Sequence, residues 1–386
     1  MNVVYLSPHF PAHYYQFCKA LKATGANVLG LGDESYDNLR PELKAVMTEY
    51  YRVPDMHTYD ELLKALGYFT FKYGRIQHLD SHNEYWLETE ARLRDDFNIP
   101  GIKTDTISHI RKKSKMKELF IQAGVKVARG RIVKTQTEAK KFIREVGYPV
   151  VAKPDSGVGA LSTYKISTAD DLKTFFKNKP NVDYLMEEFV DGTIYSFDGL
   201  TDSNGKIVFY TSHVYSQGIM EIVNENRNVY YYSLRKIPKK LEQVGKKCVK
   251  TFNVRDRFFH LEFFKTKTGE FVALEVNIRP PGGFTTDMFN FACDIDIYQA
   301  WAELIVHKKS TLQYSRKYHV CYAGRKTGPN YLHSHQDILD KFGKRVVHHE
   351  HIAGVFSSAL GNYGYLFRSE NLDDIFSVAN FIQATY

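Results

Sequence analysis

Val3-Val4-Tyr5-Leu6 is an unbroken apolar run near the start of the chain, the pattern of a strand buried on both faces. After the loop Ser7-Pro8-His9, residues Phe10, Tyr14, Phe17 and Leu21 recur at helical spacing. Gly25 ends that helix, and Val28 to Leu31 begins a second strand. Thr58 and Glu61 have the spacing of a capping box ahead of Leu62, Leu66, Phe69 and Tyr73, which share one helix face. Ile76 to Leu79 reads as a third strand. This strand–helix rhythm predicts a parallel sheet with helices on both faces. The glycine fingerprint of a dinucleotide site is missing after the first strand, so NAD is not expected.

A second unit begins near Thr104. Met116, Leu119, Phe120 and Ala123 mark a helix that ends at Gly124. Thr135 and Glu138 again have capping-box spacing, ahead of Ala139, Phe142 and Val146. Tyr148 to Lys153 is a strand that runs into a glycine-containing loop. Strand-like segments follow at 184–190, 194–200, 206–213, 258–264 and 271–277. The tail, 311–386, mixes strand-like pieces with a helix around Leu372 to Phe381. There is no internal repeat and no low-complexity linker.

Composition narrows the class. At 386 residues the chain exceeds the size at which one core stops growing, so two or three domains are expected. The 43% apolar and 25% charged fractions exclude a disordered chain. Lys plus Arg exceeds Asp plus Glu by 52 to 44, but the basic runs Arg111-Lys112-Lys113 and Lys239-Lys240 are short and no basic stripe carries interleaved aromatics. Nucleic acid is therefore not an expected partner. Anionic small substrates or a solvated surface account for the charge. Cys18, Cys248, Cys293 and Cys321 are far apart, which argues against a zinc ribbon and a disulfide framework. No signal peptide and no membrane-span-length apolar run is seen. A reduced, soluble, cytoplasmic protein without a membrane partner is the expectation.

Three constellations carry chemistry. In the first, Lys153 leaves a buried strand ahead of Ser156-Gly157-Val158-Gly159, a loop whose glycines let backbone N–H groups approach phosphate oxygens. Alone it also reads as an ordinary hairpin, and it fails the Walker pattern because the lysine precedes the glycines. The second is Tyr184 to Gly192, an apolar strand ending in Glu187, Glu188, Phe189 and Val190, which fits an adenine hinge or a plain half-buried strand. The third pairs Glu262 with Glu275-Val276-Asn277-Ile278-Arg279. Strand alternation puts Glu275 and Asn277 on one face, with Arg279 beside them if the strand continues. Two carboxylates and an amide are hard oxygen ligands that suit Mg²⁺ (or Mn²⁺) shared with phosphates. A charged hairpin face does not need that asparagine and arginine in register. Among weaker features, Asp80 to Glu84 follows the third strand, where open sheets bind ligands. Glu84 fits a substrate amine there, or the acidic start of a helix. Ser7, His9 and Phe10 share that edge, and His213 is a further cleft candidate. His333, His335, His349 and His351 fit a zinc site less well than a solvated surface. His260 reads as a structural strand histidine.

In this order and spacing the three blocks resemble the ATP-grasp superfamily over roughly residues 1 to 310, and most of all its carboxylate–amine ligases and biotin carboxylase-like members. The resemblance implies an α/β and α+β fold in three parts. These are a Rossmann-like domain over 1–105, an ATP-grasp domain over 106–310 with a mobile lid at about 130–198, and a C-terminal extension over 311–386. It implies that ATP is held by Lys113, Lys153, Ser156, Gly157, Gly159, Glu187, Glu188, Phe189 and Val190, and the metal by Glu262, Glu275 and Asn277. Lys153 and Arg279 would act on the transferring group, and Arg279 would also meet the substrate anion. Two positions depart from the family: Lys112 stands where an aspartate is usual, and Ile194 where many relatives hold the ribose with a glutamate. Asp198 is the substitute ribose partner. The implied reaction joins a small-molecule carboxylate to an amine through an acyl phosphate, releasing ADP and phosphate. The alternatives are a bicarbonate-activating carboxylase-like enzyme, for which no biotinyl-lysine context is present, and a non-catalytic ATP-binding regulatory module. A homodimer is the candidate assembly.

Overall fold

In the computed structural model the structure describes residues 1–157, 162–218 and 227–386. The N-terminal sheet is wholly parallel, ordered β3-β2-β1-β4, with β1 at Asn2–Leu6, β2 at Asn27–Gly32, β3 at Glu49–Arg52 and β4 at His78–Asp80. The apolar run of β1 is buried at every position, as a central strand requires. The strand expected at 76–79 is therefore the fourth. The unexpected β3 has the sequence Glu-Tyr-Tyr-Arg, an edge strand with no fully buried residue and hence no apolar run to reveal it. Thr58 does precede the helix Tyr59–Tyr73, but its side chain makes no capping bond, and Glu61 pairs instead with Lys64 at 2.8 Å. The capping box at Thr135 and Glu138 is fully formed.

Beyond β5 (Lys126–Val127) comes a small antiparallel sheet of four strands, β6 (Gly130–Val133), β7 (Val150–Pro154), β8 (Tyr164–Ile166) and β9 (Tyr184–Glu188), in the order β6-β9-β7-β8. Helices Gln136–Val146 and Ala169–Asn178 seal one of its faces, burying Phe142, Leu172 and Phe175 on Val150, Ala152, Tyr184 and Met186. The other face is left to a cleft.

The remaining strands join one ten-stranded sheet: β10 (Gly192–Thr201), β11 (Ile207–Thr211), β12 (His213–Tyr215), β13 (Tyr230–Ser233), β14 (Phe258–Thr266), β15 (Phe271–Asn277), β16 (His319–Arg325), β17 (Val346–His351) and β18 (Tyr363–Ser369). Its order is β17-β18-β16-β13-β12-β10-β14-β15-β5, with β11 on β10. β10 pairs with β14 from Gly192 to Leu200, so residues 192–198 belong to this sheet although the expected lid extended to 198. Strands of the tail extend the same sheet, and its last helix is Leu372–Gln383.

An aromatic cluster and a buried ion-pair group are among the contacts that fix the N-terminal sheet to the rest. Phe17 lies 4.7 Å from Tyr298 and 5.2 Å from Trp301, ring centre to centre. Arg257, just before β14, reaches Asp80 at 3.0 Å and Glu90 at 3.3 Å, all three buried. Among the described residues no helix is long and apolar enough to cross a membrane.

Candidate active site

The open face of the small sheet and the end of the large sheet enclose a cleft of about 420 Å³. Alternation decides what enters it. On β7, Val150 and Ala152 point into the small core, and Val151 and Lys153 line the cleft. On β9, Tyr184 and Met186 point into that core and Glu187 lines the cleft. On β15, Val276 packs in the core while Glu275 and Asn277 line the cleft; Ala273, on the other side of the register shift, belongs to that core and touches the cleft edge. The β14–β15 register shifts beside Glu262, leaving Leu274 unpaired and turned to the cleft. Strand pairing ends at Asn277, yet Arg279 still lies on the cleft side and Ile278 in the core.

Three ammonium groups meet three carboxylates here. Lys153 Nζ is 2.6 Å from Glu187 Oε2, and Lys117 Nζ is 2.5 Å from Glu187 Oε1. Lys113 Nζ lies 3.4 Å from Glu275 Oε1 and donates to the Gly157 carbonyl at 2.9 Å. Glu262 stands opposite Glu275 in the ladder. Burial would drive the Lys153 pKa down, but the charges of Glu187 and Glu275 raise it above its ordinary value. Burial likewise opposes the Glu187 carboxylate, and Lys153 and Lys117 overcome it and lower its pKa. The Glu275 carboxyl is raised by its enclosure; Lys113 opposes the shift and Glu262 adds to it. Glu275 thus sits beside a like charge, with Lys113 and then Lys153 only partly offsetting its enclosure, a setting that favours a further cation. The donors are two carboxylates and an amide, and among the described residues no group of three or more acidic, histidine or cysteine side chains could hold a metal alone. That set fits a magnesium ion whose other ligands come from phosphates and water.

The other expected residues fall as follows. Glu188, Phe189 and Val190 line the cleft, and both oxygens of Glu188 are engaged by Arg129. Ser156 and Gly157 are exposed at the loop beside Lys113, with Gly157 at φ +128°, a conformation that suits glycine. Gly159 lies outside the described residues. Ile194 lines the cleft as an apolar wall. Asp198 does not reach it: the residue is fully buried and its oxygens serve His260 at 2.5 Å and His213 at 2.7 Å. The ribose reading of Asp198 is corrected on that ground. His213 is fully buried in the same network and is not a cleft residue. Ser7 and His9 do not line the cleft; the neighbouring Phe10 reaches its wall by stacking on Phe356 at 5.4 Å. Glu84 is buried between Arg111 at 3.1 Å and Arg279 at 3.3 Å, one step behind the cleft lining. Arg279 Nη2 also reaches Asn277 Oδ1 at 3.5 Å. His260, expected to be purely structural, has Nε2 3.1 Å from Glu262 Oε1. Burial disfavours its charged form, but the Asp198 charge and hydrogen bond, then Glu262, bring its pKa to about 9. In the tail, Ser334 caps a helix, so His333 and His335 do not share a strand face, and His333 stacks on Phe381 at 3.5 Å.

Lys117 and the wall formed by Phe356, Ala359 and Leu360 were not anticipated. Lys117 is four residues after Lys113 on one helix, so helical spacing contained that signal. The wall comes from the tail and has no local signature.

Residues 146–287 match the family described as the ATP-grasp domain. The chain carries an ATP-grasp domain. All of the cleft-lining strands β7, β9, β10, β14 and β15 fall inside the matched stretch. Outside the ATP-grasp domain, similarity continues to an L-arginine-specific L-amino acid ligase of Bacillus subtilis, 24% identical over 274 residues, 65% of this chain and 63% of that protein. The alanine–anticapsin ligase of Bacillus subtilis is 23% identical over 181 residues, 43% of this chain and 36% of that protein. The chain thus spans less than two thirds of the length of these curated relatives. In fold it is similar to an L-amino acid ligase from Bacillus licheniformis, with TM-score 0.76, 13% identity and coverage of 98% and 96% of the two chains. An N5-carboxyaminoimidazole synthetase from Staphylococcus aureus gives TM-score 0.71 and 17% identity, with 98% and 96% covered.

Proposed function

We propose that this protein is an ATP-dependent ligase that joins a small carboxylate, of the amino-acid class, to an amine. The observation that carries the reading is the Lys113–Glu275 pair at 3.4 Å, which joins a phosphate-type lysine to a metal-type carboxylate in one cleft. Its similarity to the two amino acid ligases supports the substrate class.

Glu262, Glu275 and Asn277 would hold Mg²⁺, which when bound neutralises phosphate charge. Lys113 and Lys153 exchange their carboxylate partners for phosphate oxygens, and the apolar walls at Ile194, Phe189 and Leu274 take the base and sugar. Arg279, with a planar fork of donors, orients the substrate carboxylate toward the terminal phosphate and stabilises charge as the phosphoryl group moves. The carboxylate oxygen bonds to the terminal phosphorus as its bond to ADP breaks, so the products of this step are an acyl phosphate and ADP. Attack by the amine then forms the amide and expels phosphate. Glu84, charge-paired with Arg111 and Arg279 one step behind the lining, holds Arg279 in place and is the carboxylate proposed for a substrate ammonium.

The test is ADP release with single and paired amino acids, with the product read by mass spectrometry. A new amide mass together with ADP is the expected outcome. ADP release that depends on bicarbonate and yields no amide would favour carboxylase-type chemistry. ATP binding without release across the panel would favour a regulatory module. Replacing Glu275 or Asn277 is expected to abolish phosphoryl transfer, and unchanged turnover would sink the assignment of this edge.

A further inference from the structure

From His260 and Glu262 in the cleft lining a line of polar side chains runs back into the core, and of these only Glu262 is used above. Ser196 and Asp198 sit on β10, His213 on β12, and His260 and Glu262 on β14. Ser196, Asp198 and His213 have no solvent exposure, and His260 has 5%. The ladder places Asp198 opposite His260 and Ser196 opposite Glu262. On its far side His260 stands opposite Asn277, and Glu262 opposite Glu275. His260 is therefore the residue around which the acidic edge is arranged.

The hydrogen bonds give it a direction. Asp198 Oδ1 lies 2.5 Å from His260 Nδ1, while Asp198 Oδ2 accepts from Ser196 Oγ at 2.5 Å and faces His213 Nδ1 at 2.7 Å. The second nitrogen of His260 lies 3.1 Å from Glu262 Oε1. An imidazole between two carboxylates serves both only by donating from both nitrogens. A buried carboxylate costs several kcal/mol unless it is paired, and the bonds of His213 and His260 to Asp198 meet that need, so the second bond of His260, to Glu262, goes beyond what packing requires. Glu262 and His260 both line the cleft, so holding Oε1 against His260 leaves Oε2 as the oxygen free to turn to a cation.

We propose that His260, anchored by Asp198, is a positioning residue that clamps one oxygen of Glu262 and thereby presents the other to the divalent cation that accompanies the nucleotide. The proposal rests on the ligase reading of the cleft. It makes Glu262 a one-oxygen ligand and leaves Glu275, which has no such clamp from behind, as the carboxylate able to adapt during the reaction. It also gives Asp198 a task in place of ribose binding.

The test separates metal from nucleotide. Mn²⁺ binding in the presence of ADP is measured by electron paramagnetic resonance, and ADP binding in excess chelator by calorimetry. His260→Gln is expected to weaken Mn²⁺ binding by about 10- to 100-fold, the usual effect of losing a group that orients a metal ligand. Its affinity for ADP without metal should stay within about twofold of the wild type on the same argument. Asp198→Asn keeps the buried volume and should move the metal affinity the same way, so the proposal remains testable if His260→Gln does not fold. The double variant should lose little more than the larger single effect, because the two residues act as one unit. Equal losses of metal-bound and metal-free ADP, or unchanged Mn²⁺ affinity in a folded variant, would overturn the positioning role. Failure of the wild-type protein to bind Mn²⁺ with ADP would instead overturn the ligase reading, and the positioning role with it.

Discussion

Each functional side chain in the cleft already has a partner. Lys153 is buried against Glu187, and Lys113 bridges Glu275 and the Gly157 carbonyl. Lys153→Ala is expected to lower kcat/KM by about 100-fold or more, as loss of a charge-stabilising donor usually does, measured as ADP release. A second residue-scale expectation concerns pH. Burial pushes the Asp287 carboxyl up to about 6; Tyr298 and Gln16 bond only its Oδ1, and Oδ2 has no partner among the described residues. The folded chain therefore holds this proton more tightly than the unfolded one. The stability it contributes is complete below about pH 4 and is lost as pH rises through 6. Relative to Asp287→Asn, the wild type should lose roughly 3 kcal/mol between about pH 3 and pH 7, two pKa steps' worth, read from paired denaturant titrations. Residue-scale reading of the sequence worked where a face follows from alternation, as for Glu275 and Asn277. It failed for Asp198, whose burial is set by β11 and β14 pairing on both sides of β10 at that position and leaves no local mark.

At the scale of elements, local chemistry divides two similar motifs. Thr135 caps its helix with a reciprocal bond from Glu138, whereas Thr58 in the same spacing makes no side-chain bond. Thr135→Ala should cost about 1 kcal/mol and Thr58→Ala almost nothing by thermal unfolding. Spacing alone did not separate them, because Glu61 and Glu138 each have a lysine three residues on, and it is Glu61 that pairs with its lysine while Glu138 closes the capping box. Long apolar runs such as β1 and β7 were legible. Edge strand β3 was not, since an edge needs no apolar alternation on both faces. The small sheet was legible as segments, but its boundary was not. The chain leaves it after Glu188 and enters the large sheet at Gly192, with no composition shift between.

At the scale of the whole molecule, the pairings that join the parts span long stretches of sequence, and a single chain read residue by residue does not contain them. Arg257 reaches Asp80 and Glu90 from 177 and 167 positions away. Arg257→Met would strip both carboxylates of a buried partner and should cost about 3–5 kcal/mol. It should also separate the unfolding of the N-terminal sheet from that of the large sheet, seen as two transitions in calorimetry. A single unchanged transition would count against the pin. Arg257 adjoins the same strand, β14, that carries Glu262. Five peptide units, about 17 Å of extended chain, separate them. In mechanical terms β14 is a rigid rod with one end bolted to the N-terminal sheet and the other bearing a ligand carboxylate. A tilt of that sheet would be transmitted along β14 as a displacement at the edge that carries Glu262.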